Sequence, residues 1–150
     1  MLKNIDPLLT PELLHVLALM GHGDEIAIVD ANFPADSVAR GTRHGKPVVL
    51  AGASATQAVA AVLSVLPLDE YVGTPVRAMA APATPEGQPP QVHLEVQEVV
   101  GSAAGHPCPL DMLERFDFYE ASRSSYAVVL TGERRLYGNF LIKKGVVPGA

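Results

Sequence analysis

Gly21-His22-Gly23-Asp24-Glu25-Ile26-Ala27-Ile28-Val29-Asp30 is the stretch on which the fold class turns. From Glu25 onward it is a short, nearly continuous apolar run rich in β-branched residues, the pattern of a strand covered on both faces. Upstream, Thr10-Pro11-Glu12 reads as a helix start, with Thr10 as cap and Pro11 at the first helical position. Leu13, Leu14, Leu17 and Met20 recur at helical spacing, which predicts a helix over 11–20 with Gly21 as its left-handed stop. Downstream, residues 31–47 are turn-rich and predict an ordered loop, followed by a short strand over 47–50.

Further along, Ser54 and Gln57 form a capping box before Ala58, Val59, Ala61, Val62, Val65 and Leu66, and Pro67 ends that helix. Residues 74–80 read as a strand. Residues 82–90 carry four prolines and a glycine and read as an exposed connection. Over 91–101 strand and helix patterns compete, and the helical one extends further. Asp117 with Glu120 makes a second capping box before a helix over 118–124, and strands follow over 126–130 and 140–143. Strands alternating with helices of roughly 10 residues predict an α/β sandwich, a sheet between helical layers.

The 150 residues form one expected domain, 1–150, with 48% hydrophobic and 18% charged side chains. A formal charge of -5, from 11 basic and 16 acidic residues, excludes the clustered cations that a nucleic-acid partner requires. The leucine-rich N-terminus is broken by Asp6, Pro7, Pro11, Glu12 and His15, so neither a signal peptide nor a membrane partner is expected. A single cysteine, Cys108, can form no intrachain disulfide and fits a cytoplasmic protein. The positive mean hydropathy, +0.21, without a spanning segment, points to apolar surface hidden between subunits.

Among residues that could carry chemistry, His22 stands out. Flanking glycines leave an imidazole unshielded, as reactive histidines often are, although the same pattern describes a helix stop and a turn with a solvated histidine. Asp30 ends the buried strand, where the ligand crevices of open α/β sheets form; alone it equally suits a turn with Ala31-Asn32. The spacing of His22, Asp24 and Asp30 does not suit a metal, and the glycines make neither a dinucleotide fingerprint nor a P-loop, so no cofactor is expected. Cys108, between two prolines, reads as an inert thiol. Tyr137 and Asn139 would share a side if Gly138 is extended, a pair suited to a polyol, or the segment is an ordinary hairpin turn. Arg115 could fork onto two ligand oxygens or stand as a surface cation.

These residues sit in blocks that resemble the RbsD/FucU family of sugar mutarotases and pyranases. The blocks are Leu9-Thr10-Pro11-Glu12-Leu13-Leu14, Met20-Gly21-His22-Gly23-Asp24-Glu25, Asp30-Ala31-Asn32-Phe33-Pro34, Arg115-Phe116 with Phe118-Tyr119-Glu120, Thr131-Gly132-Glu133-Arg134, Tyr137-Gly138-Asn139 and Lys143-Lys144-Gly145-Val146. The resemblance implies a three-layer sandwich with a mixed, largely parallel sheet and no cofactor. It implies an isomerase acting on the anomers of a free monosaccharide, working as a ring-based homo-oligomer, commonly a decamer. Position by position, it makes His22 the acid/base residue and Asp30, Arg115, Tyr137 and Asn139 the sugar-binding residues, with Tyr119 as an aromatic wall or a reach into a neighbouring site. Arg115 and Gly23 stand where ribose-directed members typically carry histidine and threonine, which favours the fucose-directed branch. A D-ribose pyranase and a non-catalytic monosaccharide-binding module are the alternatives.

Overall fold

The computed structural model describes residues 2–82 and 86–149. The decisive apolar run is β1 (Glu25–Val29), inside a six-stranded sheet. Helix α1 (Pro11–Leu19) precedes it. After it come α2 (Ala35–Ala39), β2 (Val48–Leu50), α3 (Ala55–Leu63), β3 (Val76–Met79), α4 (Gln91–Ala104), β4 (Asp111–Leu113), α5 (Arg115–Arg123), β5 (Ala127–Thr131) and β6 (Phe140–Lys143). The sheet order is β2-β5-β1-β6-β3-β4. β1 runs parallel to β5, with Ile26 opposite Ala127, and antiparallel to β6, with Ile28 opposite Phe140. Only β6 runs against its neighbours, so the ends of the other five strands share one edge with the start of β6. That edge is the carboxyl edge; the opposite one is the amino edge.

Alternation along the strands builds the layers. Ile26 and Ile28, with Val129 and Phe140, pack against Leu13, Val59 and Val96 from α1, α3 and α4. Ala27 and Val29, with Val128 and Leu141, pack against Val38 of α2 and Phe118 of α5. The result is the expected mixed, largely parallel sheet between helical layers. Thr10 caps α1 through its side chain, and the Ser54–Gln57 capping box is fully formed. No described helix is long and apolar enough to cross a membrane.

Four expectations are corrected. Helix α1 ends on an extended Met20, not a left-handed Gly21; the left-handed residue is Gly23, at φ +86°. Helix α5 starts at Arg115, capped by the Glu114 carboxylate, which accepts from the Phe116 N–H; Asp117 lies in its first turn. The turn-rich 31–47 region contains the short α2, and the exposed edge strand β4 had no hydrophobic period to announce it. Finally, 131–139 is no hairpin turn, because β1 lies between β5 and β6 and the segment crosses over its end. The proline-rich connection forms no regular element among its described residues, and 83–85 lie outside them.

Candidate functional site

At the amino edge, the loop between α1 and β1 is folded on itself. The Gly21 N–H donates to the Asp24 carboxylate at 2.7 Å, and the Asp24 N–H to the Gly21 carbonyl, so Asp24 pins the loop that presents His22. The His22 side chain is 47% exposed, while its Nε2 lies 3.2 Å from Oδ1 of Asp69, a carboxylate only 4% exposed. The Tyr71 ring leans on the imidazole with centroids 5.7 Å apart. Lys144 holds the pieces together: its carbonyl accepts from Gly23 N–H, its N–H donates to the Asp24 carbonyl, and it bridges to Leu68. Its ammonium donates to the Leu17 and Met20 carbonyls, a cation at the negative end of α1. Gly145 must be glycine here, since a Cβ would stand 2.2 Å from the Leu68 carbonyl oxygen.

At the carboxyl edge, Asp30 and Asn139 are paired and buried. The Asn139 side chain donates to the Asp30 carboxylate at 2.8 Å and accepts the Asp30 N–H at 2.9 Å. Burial pushes the Asp30 carboxyl above its ordinary range, against the pull of the Asn32 N–H and the Asn139 amide. The crossing segment is anchored at several points. Thr131 Oγ1 donates to the Val29 carbonyl, and the Ala31 N–H to the Glu133 carbonyl. The Arg135 guanidinium grips the buried Glu133 carboxylate through Nε and Nη2, at 2.9 and 2.8 Å, and holds its pKa down at about 2. Glu133 also accepts the Ala55 N–H at the start of α3, and Arg135 reaches on to Glu95. Tyr137 takes a left-handed backbone, φ +64°, and its carbonyl accepts from Nε2 of buried His93 at 2.8 Å. Burial lowers the pKa of His93, which favours the neutral donor.

Arg115 opens α5 at this same edge, exposed, with its guanidinium 4.8 Å above the Phe116 ring. Phe116 meets Tyr119, and Tyr119 meets Phe33, which sits under the Asp30 turn. Tyr119 thus links Phe116 and Phe33 in one chain of ring contacts. Asp30, Arg115, Tyr137 and Asn139 therefore gather at the carboxyl edge, and His22 does not join them within the chain. From Glu25 to Asp30, β1 separates the two groups by about 16 Å at ~3.3 Å per residue. Cys108 is buried, and burial pushes its thiol up, away from the reactive thiolate. Sequence reasoning missed Asp69, His93, the Glu133–Arg135 clasp and the Lys144 anchor. Asp69, His93 and Lys144 act through partners far away in the chain, and the Glu133–Arg135 pair, two residues apart, shows its role only through its onward bonds to Ala55 and Glu95; only the Thr-Gly-Glu-Arg and Lys-Lys-Gly blocks hinted at two of them.

The model of the RbsD / FucU transport protein family matches residues 3–147. The chain belongs to this family. It is 43% identical over 148 residues to the L-fucose mutarotase of Haemophilus influenzae strain PittGG, covering 99% of each chain. To the human fucose mutarotase it is 44% identical over 149 residues, covering 97% of this chain and 94% of that one. Its fold superposes on the fucose mutarotase of Streptococcus pneumoniae, solved in complex with L-fucose, with a TM-score of 0.86 and 35% identity, over 98% of this chain and 100% of that chain.

Proposed function

We propose that the protein is an isomerase, a mutarotase that interconverts the α and β anomers of L-fucose or a related 6-deoxy sugar. The observation that carries this reading is a half-exposed imidazole with one nitrogen held and the other open, in a chain that matches L-fucose mutarotases from end to end. Mutarotation needs a proton delivered to the ring oxygen as the bond from C1 to that oxygen breaks, and a proton removed from the anomeric hydroxyl. The open-chain aldehyde then turns about C1–C2 and recloses on its other face, with the protons retraced. Histidine, with an ordinary pKa of about 6.5, gives and takes protons near neutrality, and such catalysis contributes on the order of 10²–10⁴-fold. His22 protonates the ring oxygen, and Tyr137 or a bound water assists at the anomeric hydroxyl, whose proton leaves to water. Asp30, Arg115 and Asn139 hold ring hydroxyls so that the reacting atoms stay in register.

With His22 and Asp30 at opposite edges of one sheet, a single sugar cannot touch both in one chain. A homo-oligomer, in the family's ring-based decameric form, brings the amino edge of one subunit to the carboxyl edge of the next. Exposed apolar side chains at both edges support this: Leu19, Tyr71 and Val147 at the first, Phe116 and Leu136 at the second. The work is placed in the cytoplasm, where a lone thiol stays reduced.

The test is saturation transfer between the anomeric proton signals of L-fucose, with D-ribose in parallel. Exchange above the spontaneous rate with L-fucose, abolished by His22→Ala in a folded protein, is the expected result. Enhancement with D-ribose alone would move the activity to a pyranase, and no enhancement with either sugar would leave a binding module.

A further inference from the structure

The proton-transfer role of His22 leaves open which of its two nitrogens works, and what fixes the choice. We infer that Asp69 is the positioning residue of the site: it commits Nε2 of His22 to carrying the proton and leaves Nδ1 as the atom that exchanges protons with the sugar. This rests on the mutarotase reading above and adds to it the orientation of the acid/base group.

The carboxylate is fixed independently of the histidine. Its Oδ1 accepts the Tyr71 N–H at 3.1 Å, and the Asp69 N–H donates to the Lys143 carbonyl. The same Oδ1 lies 3.2 Å from Nε2. A carboxylate oxygen can only accept, so Nε2 must donate whether or not Nδ1 is protonated; Nδ1 is therefore the nitrogen that carries the proton His22 delivers to the ring oxygen, and it is left bare, ready to take a proton back, once that transfer is made. The two partners approach from backbone segments docked on the same residue. Gly23 and Asp24 bond the Lys144 backbone, and Leu68 pairs with Lys144 from its other side. Their separation is therefore set by the sheet and not by flexible loops. Tyr71 completes the arrangement, because its amide anchors Asp69 while its ring lies against the imidazole and limits rotation. On a loop with a left-handed glycine and a half-exposed side chain, a free imidazole would sample several orientations. The dyad removes that freedom, and a misplacement of about 1 Å in such a group can cost on the order of 10²-fold in rate.

The experiment uses the full chain with ¹⁵N-labelled histidine, the His22 signals being assigned by their loss in His22→Ala. In the wild type the two-bond proton–nitrogen pattern of His22 should be that of a single Nε2–H tautomer, with its N–H proton protected from solvent. Asp69→Ala should average this pattern and lower kcat for L-fucose anomer exchange by about 10²-fold, with KM changed less than about twofold. Asp69→Asn should recover the tautomer, because the Tyr71 amide still selects an oxygen at that position, and should recover part of kcat. Asp36→Asn, on the exposed face of α2, is the control expected to change neither. A wild-type His22 pattern in Asp69→Ala overturns the inference whatever its rate. So does a loss of exchange that tracks loss of folded protein and is not restored by Asn. If His22→Ala retains full exchange, the mutarotase role of His22 fails, while the nitrogen pattern still decides whether Asp69 orients it.

Discussion

Glu133→Gln should weaken the fold in a way that fades as the pH falls. The Glu133 carboxylate is 4% exposed, gripped by Arg135 and bonded to the Ala55 N–H, and its pKa is held at about 2 against an ordinary 4.5. A depressed carboxylate pKa stabilises above the unfolded value and loses that stabilisation as pH drops through the folded value. With 1.36 kcal/mol per unit, the shift corresponds to ~3 kcal/mol at pH 7 and ~1 kcal/mol at pH 3. Arg135 is 41% exposed, so water screens the pair and these figures are ceilings. The glutamine variant cannot ionise, so its deficit against wild type should shrink by up to ~2 kcal/mol between pH 6 and pH 3, other carboxylates cancelling in the difference. Urea unfolding of both proteins at pH 6, 4.5 and 3 measures it. A deficit that stays constant with pH would show that the ionised clasp contributes nothing and that the variant suffers only from packing. Because the Glu133 carbonyl accepts the N–H of Ala31 beside Asp30, the variant should also raise KM for sugar more than it lowers kcat.

Asn139→Ala removes both the donor to the buried Asp30 carboxylate and the acceptor of the Asp30 N–H; a loss of about 3 kcal/mol is expected in urea unfolding at pH 7. Sugar binding by that variant, followed by titration calorimetry, should be lost as well. Arg115→Lys should leave the melting temperature unchanged, since the side chain is exposed, but should raise KM at least severalfold because an ammonium cannot fork onto two oxygens. Gly145→Ala forces a Cβ to within 2.2 Å of the Leu68 oxygen and 2.8 Å of the Asp69 Cα. It should cost about 1–3 kcal/mol by denaturant titration and lower kcat through the displaced Asp69.

What the sequence disclosed follows the range over which each signal acts. The apolar run of β1, the Thr10 cap and the Ser54–Gln57 box are local patterns, and all three stand in the structure as read. The errors arise where a distant group replaces a local one. Met20 ends α1 in an extended conformation because the Lys144 ammonium, 124 residues away, satisfies its carbonyl, so no left-handed glycine is required there. Asp117 looked like a cap, but Glu114, three residues earlier, already serves the free N–H of Phe116. Tyr137-Gly138-Asn139 resembled a hairpin end because nothing in that stretch reveals that β1 will lie between the strands it joins.

The candidate site divides in the same way. His22, Asp30, Arg115, Tyr137 and Asn139 could be named as candidates from the sequence because each lies at an element boundary or in a family block. Asp69 was not, since Leu68-Asp69-Glu70 resembles any solvated turn until the sheet docks it against Lys143 and Lys144. A buried carboxylate without a cation beside it is costly unless its lone pairs are used. Its burial beside a half-exposed histidine therefore marks it as a residue whose worth lies in what it does to that histidine. The same logic separates it from Glu133, which is equally buried but fully engaged by Arg135 and the Ala55 amide, and so holds the rim on which Asp30 and Asn139 stand. On the proposed mechanism the two carboxylates, one at each edge of β1, divide the labour: Glu133 would keep the rim that carries Asp30 and Asn139 rigid, and Asp69 would keep the working nitrogen of His22 aimed.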